Sequence, residues 1–285
     1  MNYGINIPNF GWFGDVNFMV KLAKEVEDSG WDGFFLWDHM LLFNESDMKL
    51  DFMDPWIGLT AIALNTKRIK LGTLVTPLPR RRPWKLAREC VTLDHLSNGR
   101  LILGLGIGAP PKREFTDFGE ISDSRIRAER LDEGLDIITG LWSGESFSHS
   151  GKHYQLDEMT FLPKPKQEPR IPIWIGGGWP HKAPFRRAAK YDGVAPVHSA
   201  WPEPLKPIHV MDCVDIVMQE RGNLTDYDVV ASGETSGTDL KSDHEILESW
   251  AAIGATWWLE DIHGLRADID TLRKRIRNGP PRIED

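Results

Sequence analysis

Eight short apolar runs, each followed by a segment of helical spacing, succeed one another along the chain, and few folds accept that order. The runs fall at residues 3–8, 33–40, 69–75, 101–107, 171–175, 193–197, 227–232 and 255–260. They are apolar almost without alternation, as parallel strands buried on both faces are. Between them, Met19, Leu22, Ala23 and Val26, then Leu86, Ala87, Cys90 and Leu93, then Leu131, Leu135, Ile138 and Trp142 recur at helical intervals. Further helices are expected at 55–64, 204–220, 243–253 and 265–276. Over 285 residues this pattern predicts an α/β chain folded as one (β/α)8 TIM barrel, residues 1–285, in preference to a doubly wound sheet. One stretch breaks the rhythm. Residues 143–170, between the fourth helix and the fifth strand, are rich in aromatics, glycine and proline and predict a short insertion, either a hairpin or an extended excursion.

A barrel of this kind gathers its chemistry where strands end and the following loops begin. The apolar run 171–175 stops at Gly176, Gly177 and Gly178, and a helix is expected just after Pro180. A strand that breaks into glycines before a helix collects backbone N–H groups and the positive end of a dipole, which suits a phosphate. A tight turn is the plainer alternative. On the phosphate reading, Gly177→Asp is expected to abolish ligand binding and leave the barrel folded. Gly104, Gly106 and Gly108 remove side chains from the fourth strand, where a flat body would approach the backbone. Trp12, Trp37, Trp84, Trp174 and Trp179 offer stacking surfaces, although most tryptophans of such a chain belong to the core.

Other strand ends carry Asp38 and His39, Arg80 to Arg82, His198, Glu234, and Glu260 with Asp261 and His263. His39 is the leading catalytic candidate, with Asp38 beside it, because imidazole exchanges protons near neutrality. The alternative is a histidine bonded to a backbone carbonyl. Arg80 is either part of a solvated charge run or a grip on an anionic substrate. His198, Glu234 and Glu260 are candidate substrate contacts. The first strand ends without a His-x-His pair, so a metal-dependent hydrolase barrel is disfavoured. No G-x-S-x-G elbow occurs, and G-L-G-I-G at 104–108 runs into Ala109-Pro110-Pro111 and not into a helix, unlike a dinucleotide fingerprint. A cavity with a phosphate seat and no evident protein nucleophile suits a cofactor that brings its own chemistry.

The net charge of −8 argues against nucleic acid as a partner. Two cysteines, Cys90 and Cys213, form no disulfide framework and read as free thiols in a reducing compartment. No run reaches membrane-spanning length and the first residues lack a leader pattern, so a soluble cytoplasmic protein is expected, either a homodimer or a monomer.

Four segments together resemble the bacterial luciferase-like flavin oxidoreductases: W-D-H at 37–39, R-I-K-L-G-T-L-V-T-P at 68–77, L-D-H-L-S-N-G-R-L-I-L-G-L-G-I-G at 93–108 and P-I-W-I-G-G-G at 172–178. F-G at 118–119 and A-A-K-Y-D-G at 188–193 are weaker echoes. The resemblance implies a barrel that binds FMN or the deazaflavin coenzyme F420 at its C-terminal mouth. It implies a ring lying on the third strand, over a bulge with a non-prolyl cis peptide among Gly72, Thr73, Leu74 and Val75. It aligns Gly177 and Gly178 with the phosphate turn and His39 with a histidine facing the flavin. The implied activities are an F420-dependent reductase or dehydrogenase, or an FMN-dependent monooxygenase fed by a flavin reductase, acting on a small organic substrate. A flavin-binding protein with little turnover is the alternative. Ala109 stands where the sugar-phosphate dehydrogenase branch has an acidic glutamate, which counts against that activity. Gly106, Ile107 and Gly108 lack the reactive cysteine of true luciferases, which counts against light emission.

Overall fold

The computed structural model describes residues 1–42, 49–200 and 203–283. Its elements in chain order are β1 (Asn2–Ile7), α1 (Val16–Asp28), β2 (Gly33–Leu36), α2 (Pro55–Asn65), β3 (Lys70–Pro77), α3 (Pro83–Ser97), β4 (Leu101–Gly106), α4 (Pro111–Glu114) and α5 (Ser124–Trp142). They continue with β5 (Ser146–Ser150), β6 (Gln155–Thr160), β7 (Ile173–Trp179), α6 (Ala183–Ala188), β8 (Gly193–His198), α7 (Pro207–Arg221), β9 (Asp228–Gly233), α8 (Leu240–Ala251), β10 (Trp257–Asp261) and α9 (Ile269–Arg277). Eight strands close a parallel barrel in the order β1-β10-β9-β8-β7-β4-β3-β2. The (β/α)8 expectation therefore holds. The stretch 143–170 contains the antiparallel hairpin β5–β6, which stands outside the barrel.

Local chemistry explains the boundaries. Asp15, Asp54, Asp123, Asp239 and Asp268 cap the N-termini of α1, α2, α5, α8 and α9 through their carboxylates, each contributing about 1 kcal/mol. Asn98 ends α3 in the left-handed conformation at φ 62°. The insertion is anchored by two carboxylates, Glu133 at the hairpin turn and Asp94 at the segment that follows β6. Asp94 accepts from the N–H groups of Lys166 and Gln167, and Glu133 accepts from those of Lys152, His153 and Tyr154.

Two apolar layers result. The larger lies between strands and helices, and the smaller fills the barrel with Phe35, Ile102, Trp174, Ala195, Val230, Trp257 and Leu259. Trp174 stacks on Phe35 at 5.0 Å and meets Trp257 at 5.3 Å. Trp174 is thus barrel filling and offers no face to a ligand.

The third strand carries the expected bulge. Thr73 pairs with Leu103 and Thr76 with Leu105, so β3 holds one extra residue, and the Leu74–Val75 peptide is cis. A Cβ on Gly106 would lie 2.8 Å from Val75 Cγ2, and one on Gly176 2.6 Å from Val75 Cγ1. These two glycines make room for the bulge. Among the described residues, no helix is long and apolar enough to cross a membrane.

Candidate active site

β2 ends at Leu36, so Trp37, Asp38 and His39 belong to the loop at the barrel mouth and the strict alternation of a strand does not bind them. Asn9 holds the backbone of His39 at both ends. It donates from Nδ2 to the carbonyl at 2.8 Å and accepts from the N–H at 3.2 Å. The imidazole Nδ1 lies 3.1 Å from Oε1 of Glu114, a fully buried residue on α4. Glu114 also accepts from the N–H groups of Met40 and Leu41 and from Arg80 Nη1. Burial alone would raise its pKa, but the His39 hydrogen bond and the Arg80 charge outweigh burial and hold it below the usual range. An ionised carboxylate only accepts, so Nδ1 of His39 carries a proton and Nε2 is the nitrogen that Glu114 does not engage. Sequence reasoning missed Glu114, which sits five residues past Ala109 in a one-turn helix that no periodicity announces.

Asp38 is placed as a positioning group. Its buried carboxylate accepts from Arg80 at 2.7 Å, Arg81 at 3.0 Å and Thr76 Oγ1 at 2.8 Å. Arg80 is held by Asp38 and Glu114 with 3% of its side chain exposed, so it is not available to grip an anionic substrate. Both residues position the wall that carries His39.

The proposed cofactor residues divide. Leu74 and Val75 are half-buried at the mouth and form an apolar shelf. Gly72 and Thr73 are buried beneath it, and the Thr73 hydroxyl donates to the Gly104 carbonyl at 3.2 Å. Gly106 is occupied by Val75, as above. Gly108, at φ 80°, turns the chain against Pro77 and Phe115. Gly72, Thr73 and Gly106 are buried, whereas Gly108 is half-buried.

The triplet Gly176 to Gly178 does not break the strand. β7 runs through it to Trp179, paired with Ala195 to His198 of β8, and α6 begins only at Ala183. Gly177 faces outward, where a Cβ would lie 2.3 Å from Pro184 Cβ, so glycine there lets α6 approach. Gly178 faces inward, with Ser199 Cβ at 3.2 Å and His181 at 3.9 Å from the same construction, and is the member of the triplet that borders the mouth. Trp179 and His198 are on the outward register. The Trp179 indole stacks on His209 at 4.0 Å and donates to Asp212 at 3.0 Å, and the His198 ring lies 5.3 Å from Trp179. Neither lines the mouth.

At the ends of β9 and β10 the register decides again. Glu260 points outward, fully buried, accepting from Thr235 N–H and Oγ1, Trp258 Nε1, Arg266 and Arg275. It is a structural hub and not a substrate contact. Asp261, one residue on, faces inward with Trp257 and Leu259 and accepts from Asn6 Nδ2 at 2.7 Å. Glu234 remains at the mouth, its carboxylate 3.7 Å from His263 and 3.6 Å from Arg266. Among the described residues, no group of three or more His, Cys, Asp or Glu side chains is placed to hold a metal ion.

A closed parallel barrel with a bulged third strand, and with His39 held by Glu114 beyond the end of β2, defines a (β/α)8 barrel. The chain belongs to the luciferase-like monooxygenase family, whose model matches residues 1–236. It is 34% identical over 165 residues to an F420-dependent glucose-6-phosphate dehydrogenase of Microbacterium testaceum, a match covering 58% of this chain and 48% of that one. It is 33% identical over 132 residues to the oxygenase component of a flavin-dependent trigonelline monooxygenase of Acinetobacter baylyi, covering 46% and 36%. These alignments span half or less of each relative's length. Among solved structures, an F420-dependent secondary alcohol dehydrogenase in complex with an F420-acetone adduct superposes with a TM-score of 0.82 at 15% identity, covering 100% of this chain and 99% of the other. At that identity the likeness concerns the fold.

Proposed function

We propose that the chain is an F420-dependent oxidoreductase that interconverts a small alcohol and its carbonyl compound. The observation that carries this reading is the pairing of His39 Nδ1 with the Glu114 carboxylate, which leaves Nε2 to exchange a proton at the mouth. The residues present suit a flat ring: Leu74 and Val75 offer an apolar shelf, and Gly178 leaves the β7 edge of the mouth without a side chain. A bound deazaflavin would supply the hydride acceptor. The chain's own part is then to seat the ring and to take the proton of the substrate hydroxyl on His39 Nε2 while Glu114 stabilises the imidazolium that forms. Apoprotein titrated in parallel with F420 and FMN, read by cofactor fluorescence, tests the reading. Binding of F420 in preference to FMN supports it, and binding of FMN alone overturns it in favour of a monooxygenase.

A further inference from the structure

Asp261 takes no part in the step above. Its carboxylate lies on the inward face of β10, held by Asn6 Nδ2. Asn6 is itself fixed, because its Oδ1 accepts from Trp37 Nε1 at 3.0 Å, and a flipped amide would break both bonds. The Trp37 ring stands 6.0 Å from that of His39 and 6.3 Å from that of His263, so Asp261 belongs to the same wall as His39. Among the described residues no cationic side chain lies within ion-pair distance of it. Arg266 donates to the backbone carbonyl of Asp261 at 2.6 Å and directs its charge to Glu260 and Glu234. Arg275 is paired with Glu260, Arg80 with Asp38 and Glu114, and Arg81 with Asp38. Burial, with the charges of Glu260 and Glu234, pushes the Asp261 carboxyl up to about 7, against the hydrogen bonds from Asn6 and Ser232 that favour its ionised form.

We infer that Asp261 is a substrate-recognition residue: it hydrogen-bonds a neutral hydroxyl or carbonyl, or pairs with an ammonium group, and it turns away phosphorylated and carboxylated substrates. The inference rests on the oxidoreductase reading only for taking this mouth as the substrate site. A phosphate brought to this arc meets the Asp261 carboxyl, which has no cationic partner among the described residues, while Arg80, Arg81, Arg266 and Arg275 already have carboxylate partners. Like charge without compensation is the means by which a site rejects a ligand. The preference therefore separates this chain from relatives named for a phosphorylated sugar.

The test uses three ligands on one ring: cyclohexylamine, cyclohexanol and cyclohexyl phosphate. Their binding to the whole chain is measured by saturation-transfer NMR and calorimetry between pH 6 and pH 8.5. The amine and the alcohol are expected to bind at least tenfold more tightly than the phosphate. Amine affinity is expected to rise as Asp261 ionises through pH 7, and to be at least tenfold weaker and flat with pH in Asp261→Asn. His263, which burial and Arg266 hold below its usual pKa, faces the same arc, so His263→Asn should keep the pH dependence of the amine. Equal behaviour of the three ligands, absence of binding included, or an unchanged amine affinity in Asp261→Asn, overturns the inference. Failure of the preceding reading registers separately, as a missing F420 response in a chain whose ring ligands still discriminate.

Discussion

At the scale of single residues, Glu114 decides what His39 is. With an acceptor-only carboxylate on Nδ1, the histidine has one defined tautomer and one free nitrogen. His39→Ala should therefore keep cofactor affinity and lower kcat by about 10²- to 10⁴-fold, the usual yield of a positioned acid or base. Steady-state rates beside a fluorescence titration check this, and an active variant would make the histidine structural. Asp261 makes a second prediction, about stability. Its folded pKa is raised from 3.8 to about 7, so ionising it costs the folded state more than the unfolded one. Stability is full below about pH 4 and is lost as pH rises through 7. Asp261→Asn should thus be more stable than the parent at pH 8, on the order of 2 kcal/mol, with the advantage gone at pH 4. Urea melts at the two values decide it. The Asp38-His39 pair was legible as a strand-end feature, but its division of labour was not. Arg80, Arg81 and Thr76 reach Asp38 from more than thirty positions away, and no local pattern carries that.

At the scale of elements, each glycine of the 176–178 triplet answers to a different neighbour. The sequence shows three glycines after an apolar run, and that is equally the signature of a turn. The continuation of β7 to Trp179 is settled by β8, whose residues pair through the triplet. With the strand intact, Gly176 yields to Val75, Gly177 to Pro184, and Gly178 to the mouth. The expectation that Gly177→Asp would leave the barrel folded is corrected accordingly, since any Cβ there drives α6 outward. Gly177→Ala should destabilise the fold by about 1–3 kcal/mol, the range for overpacking a tight contact. Gly178→Ala meets only Ser199 and His181 at ordinary or slightly tight distances, and should fold normally while weakening the cofactor. Thermal melts set against fluorescence titrations of both variants separate the two roles, and the reverse pattern would exchange them. The same logic explains Glu260. A one-residue change of register moves a side chain from the mouth to the helix layer, and the apolar run 255–260 places a strand without fixing its facing. Trp257 and Leu259 inside the barrel fix it.

At the scale of the whole molecule, the barrel is closed by β10 against β1, and Glu260 ties that closure to the last helix. It joins Thr235 after β9, Trp258 on β10, Arg266 in the following loop and Arg275 on α9. The eightfold alternation was enough to foresee the closure, because every strand contributes its own apolar run. The hub was not foreseeable, since its members converge only when the sheet has closed. All of Glu260, Asp261 and Arg275 lie beyond residues 1–236, the part that matches the family model. Glu260→Gln removes the buried negative partner of two arginines and keeps the size of the side chain. Breaking a buried pair from one side costs about 3–5 kcal/mol, because the surviving charges are left uncompensated. The variant should melt earlier by that amount in a single transition, since the hub belongs to the barrel's own closure. It should also leave Arg266 and Arg275 with one negative charge fewer between them, and so admit cyclohexyl phosphate more readily than the parent does. A Glu260→Gln chain of unchanged stability would show that β10 and α9 are held by their apolar contacts. One that melts early but still rejects the phosphate would place the selectivity in Asp261 alone.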